Sequence, residues 1–192
     1  MYKILFSFFL SLSFLSSCKQ KQNSNEVKNV KDTIQFFPVM ELLNADIDDV
    51  FKTPYFMYQI TEKSNSRKRD STTITHEKFS DIINPISNVI INKDQFEEVS
   101  FHDLSTSSIS IITTSTNEMN PIKSITTLLN DKTNLLKSMF IVTEVPLNNS
   151  IARIQYYWKA EKSLLITTTS TDKKGDEIII KQYINWNEKF NN

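Results

Sequence analysis

Apolar positions along the chain follow two different periods, one typical of helices and the other typical of strands. Between Pro38 and Pro54, apolar side chains from Met40 to Val50 recur at spacings of three and four residues. This spacing places them on one face of an α-helix. Proline fits the first turn of a helix but disrupts its interior, so we expect this helix to begin near Pro38 and to end before Pro54.

A second helix is predicted over THEKFSDIIN, residues 75–84. Thr75 suits the N-cap position, where a hydroxyl accepts a hydrogen bond from a backbone N–H of the first turn. Pro85 is expected to end or kink the helix, because its ring clashes with the preceding turn. The apolar side of this helix consists of Phe79, Ile82, Ile83 and Ile86.

The residues between the two helices divide into an apolar and a polar part. PYFMYQITEK, residues 54–63, alternates loosely between apolar and polar positions, which favours a strand. SNSRKRDST, residues 64–72, has no sizeable apolar side chain and predicts a polar loop or the end of a hairpin.

From Ser105 onward the pattern changes to segments rich in β-branched and aromatic residues, which predict strands. Asn, Asp, Pro and the single Gly175 separate these segments and supply turn chemistry. The connections are too short for parallel crossovers, so sequential antiparallel pairing is expected. The six segments are SSISIITTST, PIKSITTLLN, LLKSMFIVTEV, IARIQYYWK, SLLITTTSTD and DEIIIKQYINW.

The last of these segments shows how the sheet is expected to pack. Ile180, Ile184 and Trp186 share one face of the strand, while Lys181 and Tyr183 share the other. One face is therefore expected to be packed and the other to be solvated. Together the patterns predict an α+β fold, with two N-terminal helices packed on a roughly six-stranded antiparallel, meander-like sheet.

Composition excludes several functional classes. The chain has one glycine, so the glycine-rich phosphate loops and the glycine-flanked nucleophile elbow are excluded. Its formal net charge is zero, which gives no electrostatic basis for binding nucleic acid. We expect no cofactor.

The amino terminus has the pattern of an export signal. Lys3 precedes an apolar run over residues 4–15, and this run of roughly 12 residues matches the core of a signal peptide. A membrane-spanning helix would need about 20 apolar residues. The only cysteine of the chain, Cys18, follows directly after Leu15, Ser16 and Ser17.

Leu15-Ser16-Ser17-Cys18 resembles the bacterial lipobox, and the amino terminus as a whole resembles those of small lipoproteins of the Bacteroidota. The resemblance implies that residues 1–17 are removed and that a diacylglycerol is attached to the thiol of Cys18. Two or three acyl chains, such as palmitate, hold a protein on a membrane essentially permanently. The alternative is a free cysteine at the end of an ordinary secretory signal.

The residues after the cysteine predict a tether and then one domain. Residues 18–32 are too polar to bury enough surface to fold, so they are expected to form a flexible tether. Residues 33–192 suit a single α+β domain. In enteric lipoproteins an aspartate after the cysteine favours the inner membrane; because Lys19 stands there instead, the analogy implies the outer membrane, facing the periplasm, with surface exposure left open.

Two acidic clusters are candidate metal ligands. Glu97, Glu98, His102 and Asp103 lie close in sequence, although a charged, solvated loop accounts for them better. Asp46 and Asp49 are expected to be exposed, on the helix side opposite the apolar stripe, and their surroundings lack the glycine and glutamate of a calcium loop.

The Ser/Thr-rich segments at 113–116 and 167–172 are candidate nucleophiles, but they would need an adjacent base, and only His76 and His102 could be histidine bases. We expect these threonines on the solvated face of the sheet. We expect His76 to be an exposed neighbour of a helix cap.

Two further groups are candidate binding surfaces. Arg67, Lys68 and Arg69 could meet anionic lipid headgroups, but a loop that resists strand aggregation is favoured. Tyr156, Trp158 and Trp186 could line a ligand groove or a partner surface, although a place in the core is favoured.

The sequence therefore predicts a membrane-anchored envelope lipoprotein with a non-enzymatic role, binding a partner protein or assembly through its sheet or a strand edge. The alternative is a carrier or sensor of a lipid or other apolar ligand, held in a groove between helices and sheet. Helix-plus-sheet envelope domains such as lipoprotein carriers and β-lactamase-inhibitor-like modules resemble this layout loosely, and no site residue transfers from them. A hydrolase using His76 or His102 is the least favoured hypothesis.

Overall fold

The computed structural model of the chain describes residues 36–64, 66, 69–147 and 150–189. The chain divides into two units, Met1–Ile34 and Gln35–Asn192, and every described residue lies in the second. The lipobox with Cys18, the polar tether, and Arg67 and Lys68 of the basic patch lie outside the described residues.

The described residues form two helices and nine strands. In chain order they are α1 (Val39–Lys52), β1 (Tyr58–Lys63), β2 (Arg69–Thr73), α2 (His76–Ser87), β3 (Phe96–Asp103), β4 (Ser108–Ser115), β5 (Ile122–Asn130), β6 (Leu136–Leu147), β7 (Ser150–Lys159), β8 (Ser163–Thr171) and β9 (Glu177–Asn185).

All nine strands belong to one antiparallel sheet in the order β2-β1-β9-β8-β7-β6-β5-β4-β3. Strands β3 to β9 form a meander, and the hairpin of β1 and β2 joins it at β9. The α+β class and the antiparallel sheet are confirmed. The prediction of a roughly six-stranded sheet is wrong: the six predicted segments correspond to β4–β9, and the sheet also contains β1, β2 and β3. The strand expected over residues 54–63 is β1, and the hairpin that it forms with β2 separates the two helices.

The two strands missing from the predicted set lie at the edges of the sheet. Every residue of β2 is exposed, and in β3 only Phe96 is buried. An edge strand that is exposed on both faces has no alternation of buried and exposed residues, so its sequence resembles a polar loop. For this reason the sequence of β2 predicts only a polar loop or the end of a hairpin, and the sequence of β3 favours a charged loop.

Helix α1 agrees with its sequence pattern. It begins directly after Pro38, and it ends at Lys52, before Pro54. Its first turn carries Glu41 and its last turn carries Lys52, which complement the helix dipole. The buried stripe consists of Val39, Met40, Leu43, Ile47 and Val50.

Helix α2 is capped as predicted but extends two residues past Pro85. The Thr75 hydroxyl accepts a hydrogen bond from the Lys78 N–H at 3.2 Å, which confirms the N-cap. The helix ends at Ser87. Pro85 and Asp81 both lie on the exposed side, so water can satisfy the Asp81 carbonyl that the proline leaves unpaired.

Both helices pack against the face of the sheet that carries Trp158. The Phe79 ring of α2 lies 6.3 Å from the Trp158 ring and 5.6 Å from the Trp186 ring, measured between centroids. The two tryptophan rings are 5.0 Å apart. This aromatic cluster, with Leu43 and Ile83 of the helices around it in the buried core, occupies the space between helices and sheet.

Asp46 attaches α1 to the sheet. The Trp158 Nε1–H donates to the Asp46 carboxylate at 2.5 Å, and the Glu161 N–H donates to it at 3.2 Å. The prediction that Asp46 is solvent-exposed is wrong, because the indole reaches the flank of α1 and half-buries the carboxylate. Burial raises the pKa of Asp46, while the hydrogen bond from Trp158 acts against this rise.

Removing this carboxylate should destabilise the fold. We expect Asp46→Ala to lower the free energy of unfolding by about 1–2 kcal/mol, because a buried indole N–H loses its acceptor. Urea unfolding followed by tryptophan fluorescence measures the change. Asp49→Ala, on an exposed side of the same helix, is the matched control and should change stability by less than about 0.5 kcal/mol. Equal losses in both variants would contradict the role of Asp46.

Candidate functional site on the open face of the sheet

The strand register separates a helix-covered face from an open face, on which no helix of the described residues packs. Side chains alternate between the faces, and directly paired residues share a face. One cross-strand row of the open face is apolar from β3 to β1 except for Thr126, and it ends at the polar Ser71 of β2. This apolar row runs through Val99, Ile112, Thr126, Phe140, Tyr157, Leu165, Tyr183 and Ile60.

The apolar row is solvent-accessible along its length. Val99 is 63% exposed, Tyr157 is 41% exposed, and the other members are half-buried. Contiguous apolar surface of this kind is unusual on a solvated sheet face and is typical of a binding surface. The open face is therefore the candidate functional site.

A polar network lies beside the apolar row on β7, β8 and β9, centred on Glu188. The Glu188 carboxylate accepts hydrogen bonds from the Ser163 hydroxyl and the Tyr183 hydroxyl, each at 2.7 Å, and from Lys159 Nζ. Asn185 closes the network: its Oδ1 accepts from the Glu188 N–H at 2.8 Å, and its Nδ2 donates to the Tyr58 hydroxyl at 3.0 Å.

The network shifts the pKa values of its members in consistent directions. The hydrogen bond from Lys159, followed by that from Ser163, lowers the pKa of Glu188 to about 2. The same contact raises the pKa of Lys159. Desolvation, followed by the hydrogen bond to Glu188, raises the pKa of Tyr183 to about 12. At neutral pH the network therefore holds a carboxylate, an ammonium group and a neutral phenol, and it fixes the Tyr183 ring within the apolar row.

A groove runs along β9 at the β2 end of the open face, and we call it the β9 groove. It consists of two adjoining cavities of about 490 and 420 Å³, which share Glu62, Arg69 and Lys181. These volumes lie within the range of small-molecule sites. The larger cavity is further lined by Ile60, Leu165, Tyr183, Glu188 and Lys189, and the smaller one by Lys63, Ser64, Ser66 and Ile179.

The opposite end of the open face is the edge strand β3. Its eight residues pair with β4 in a continuous register, and no other strand of the described residues pairs with it. Val99 and Phe101 project from it on the open face and are 63% and 52% exposed. The strand carries Glu97, Glu98 and Asp103 but contains no lysine, arginine or proline.

Two of these acidic groups are already engaged within the protein. The Glu98 carboxylate accepts from the Phe37 N–H at 3.1 Å. The Asp103 carboxylate accepts from the Ser105 and Thr106 hydroxyls at 2.6 and 2.7 Å, and these bonds lower its pKa to about 2. Glu97 is exposed on the same face as Val99 and Phe101.

The aromatic residues proposed from the sequence as a ligand or partner surface lie in the core. Trp158 is fully buried, and Tyr156 and Trp186 are buried as well. Helices α1 and α2 cover the face that carries them, so they offer no exposed surface to a ligand or a partner. Their neighbour Tyr157 faces the open side instead, because side chains alternate along β7.

The acidic residues around His102 are distributed over both faces of β3 rather than gathered at one point. His102 Nε2 lies 3.4 Å from the Asp131 carboxylate. Within the described residues, no group of three or more His, Cys, Asp or Glu side chains could hold a metal ion. The segment expected to be a charged loop is the strand β3, and its charged side chains lie along an edge of the sheet.

The remaining candidate residues from the sequence lie on different elements of the fold. His76 is the first residue of α2, exposed, with its ring 5.8 Å from that of Phe51. The prediction that the threonines face solvent is only half right: Thr113 is fully buried on the helix-covered face, whereas Thr114 is exposed. Arg69, the described member of the basic patch, pairs with Glu62 at 3.1 Å.

Sequence reasoning missed the Glu188 network and the two apolar residues of β3. Glu188 lies after the last predicted strand, and its partners come from three strands, so no local pattern marks it. In β3, Val99 and Phe101 lie two residues apart within FEEVSFHD, and this spacing indicates that they share one face of a strand.

No protein-family model, curated protein or solved structure matches the chain. No helix among the described residues is both long and apolar enough to cross a lipid bilayer.

Proposed function

We propose that the protein is a non-enzymatic binding module of the bacterial cell envelope that binds a partner protein by strand addition at β3. In this proposal Cys18 carries the lipid anchor, and the module is held at the outer membrane, facing the periplasm. The observation that carries the binding role is an edge strand with two exposed apolar side chains, Val99 and Phe101, on the open face.

The backbone of β3 can bind a further strand. An edge strand presents unpaired N–H and C=O groups that an extended peptide can satisfy. Proteins commonly block such edges with short strands, bulges, proline or lysine. The other edge, β2, is five residues long, whereas β3 is eight residues long, pairs in a continuous register and contains no lysine or proline.

The side chains of β3 define the partner. An added strand would place alternate side chains beside Val99 and Phe101, so the partner segment should carry apolar residues at every second position. The exposed Glu97 favours a lysine or arginine near one end of that segment and disfavours an acidic one. The partner is therefore an extended, apolar and basic segment of another protein.

Crosslinking and hydrogen exchange together test this proposal. A photoreactive phenylalanine analogue replaces Phe101 in cells, and the control carries it at Leu135, which is 64% exposed in the turn between β5 and β6. We expect a discrete adduct at Phe101 that is absent at Leu135. The purified partner should then slow hydrogen exchange of the β3 amides and bind at least about tenfold more weakly to the V99K/F101K variant.

Three outcomes would overturn the proposal that a partner protein adds a strand at β3: no adduct specific to Phe101, protection from exchange at a surface other than β3, or an adduct that contains only a second copy of this chain. Leu135→Lys should leave the affinity unchanged. A loss of affinity in that variant equal to the loss in V99K/F101K would show a general charge effect rather than a contact with β3.

The alternative of an apolar ligand held between the helices and the sheet gains no support from the packing. Phe79, Trp158, Trp186 and Leu43 fill that space and are buried. The β9 groove lies on the other face of the sheet.

A further inference from the structure

The β9 groove combines an apolar floor with a basic rim. Ile60, Leu165 and Tyr183 are direct cross-strand neighbours on β1, β8 and β9, and all three are half-buried. The hydroxyl of Tyr183 is held by Glu188, so the ring is fixed as part of the floor. Lys181 and Lys189 are exposed where they border the same cavity.

The acidic residues of the groove are already paired, and the lysines are not. Glu62 pairs with Arg69 across β1 and β2 at 3.1 Å, and Glu188 is bound by Lys159. Among the described residues, neither Lys181 nor Lys189 makes an ion pair. The larger cavity of the groove therefore offers two available positive charges, those of Lys181 and Lys189, beside apolar surface.

The shape of the groove suits an elongated ligand. Tyr183, Lys181 and Ile179 line it at alternate positions of β9, and five residues of an antiparallel strand span about 14 Å from first to last. The smaller cavity continues the groove to Ile179 and Ser64, where the Ser64 N–H donates to the Ile179 carbonyl at 2.8 Å.

We propose that the β9 groove binds a small amphipathic anion, namely a carboxylate with a medium-length aliphatic body. The carboxylate pairs with the ammonium groups of Lys181 and Lys189 at the rim, and the aliphatic body covers Ile60, Leu165 and the Tyr183 ring. This site is separate from β3, which lies at the opposite edge of the sheet, so the two proposals can fail independently.

Calorimetric titration of the full chain with decanoate tests the proposal, with the neutral decanamide as the matched ligand. We expect saturable one-to-one binding of decanoate and binding of decanamide weaker by about fivefold or more, since each exposed ion pair contributes up to about 1 kcal/mol. The K181Q/K189Q variant should lose about the same factor for decanoate and should no longer discriminate between the two ligands.

The K173Q/K174Q variant is the matched control, because these two lysines are exposed in the turn between β8 and β9 and do not line the groove. It should bind decanoate as the unaltered chain does. The proposal is overturned if decanoate gives no saturable heat, if decanamide binds equally well, or if both lysine pairs have the same effect. Circular dichroism of each variant establishes that the fold is retained.

Discussion

Replacing Phe79 by alanine is expected to lower the free energy of unfolding by about 3–5 kcal/mol. Phe79 is fully buried in α2, and its ring contacts Phe51 of α1 as well as both buried tryptophans. The side chain thus joins the two helices to the sheet at one point. Alanine would leave a cavity that the surrounding rigid sheet cannot close, and the energetic cost rises with the volume of the cavity.

Urea unfolding followed by circular dichroism measures this loss, and thermal unfolding should show a fall in Tm of roughly 10 °C. Phe56→Ala is the matched control, because Phe56 is 71% exposed in the segment between α1 and β1. It should cost less than about 1 kcal/mol. A loss below about 1 kcal/mol for Phe79→Ala would mean that the helices do not depend on this contact for their packing.

The parts of the fold that the sequence predicted are those in which local pattern and burial coincide. In α1, the spacing from Met40 to Val50 and the flanking prolines define both the buried face and the ends of the helix. In β4–β9, alternation of apolar residues identifies the strands because one face packs against helices. Thr75 identifies the start of α2 because its cap hydrogen bond is local.

The parts that it did not predict depend on contacts between distant residues. Pairing of Gln59 with Ile184 places β1 beside β9, and no feature of either segment specifies the other. Asp46 lies beside the apolar stripe of α1, so its burial could be known only once Trp158 was placed against it. Strands at the edges of a sheet lack a second neighbour, and their exposed sequences therefore do not show the alternation expected of a strand.

The candidate site is predicted less well than the fold for the same reason. A row across a sheet takes one residue from each strand, so the apolar row joins residues from Ile60 to Tyr183 that are spread along the chain. The sequence favoured the most conspicuous aromatic residues, and these are the ones that the core uses. The exposed members of the row, Val99 and Tyr157, lie on different strands, and only the register of the sheet groups them in one row.

Glu188→Gln is expected to lower the free energy of unfolding at pH 7 by about 2–3 kcal/mol. The carboxylate accepts from Lys159, Ser163 and Tyr183, and hydrogen bonds to a charged group are the stronger kind. Glutamine has nearly the same size but is neutral, and it brings two N–H donors into a site lined by donors. Lys159 would also lose its counter-charge.

The pH dependence distinguishes this electrostatic contribution from a loss of packing. The pKa of Glu188 is about 2 in the folded protein, against an ordinary value of 4.5. A carboxyl whose pKa is lowered by folding stabilises the folded state above its unfolded pKa, and this contribution disappears as the pH falls toward the folded pKa. The stability difference between the unaltered chain and E188Q should therefore be full above about pH 5 and should shrink steadily between pH 4.5 and pH 2.

Urea unfolding at a series of pH values measures this difference, and Glu118→Gln, in the exposed turn between β4 and β5, is the control. The control should show little difference at any pH. A difference for E188Q that persists unchanged down to pH 2 would show that the substitution acts through packing, and the charged network would then have no measurable role. If the difference shrinks as expected, the network is an electrostatic support that holds Tyr183 in place beneath the β9 groove, and E188Q should leave strand addition at β3 unchanged.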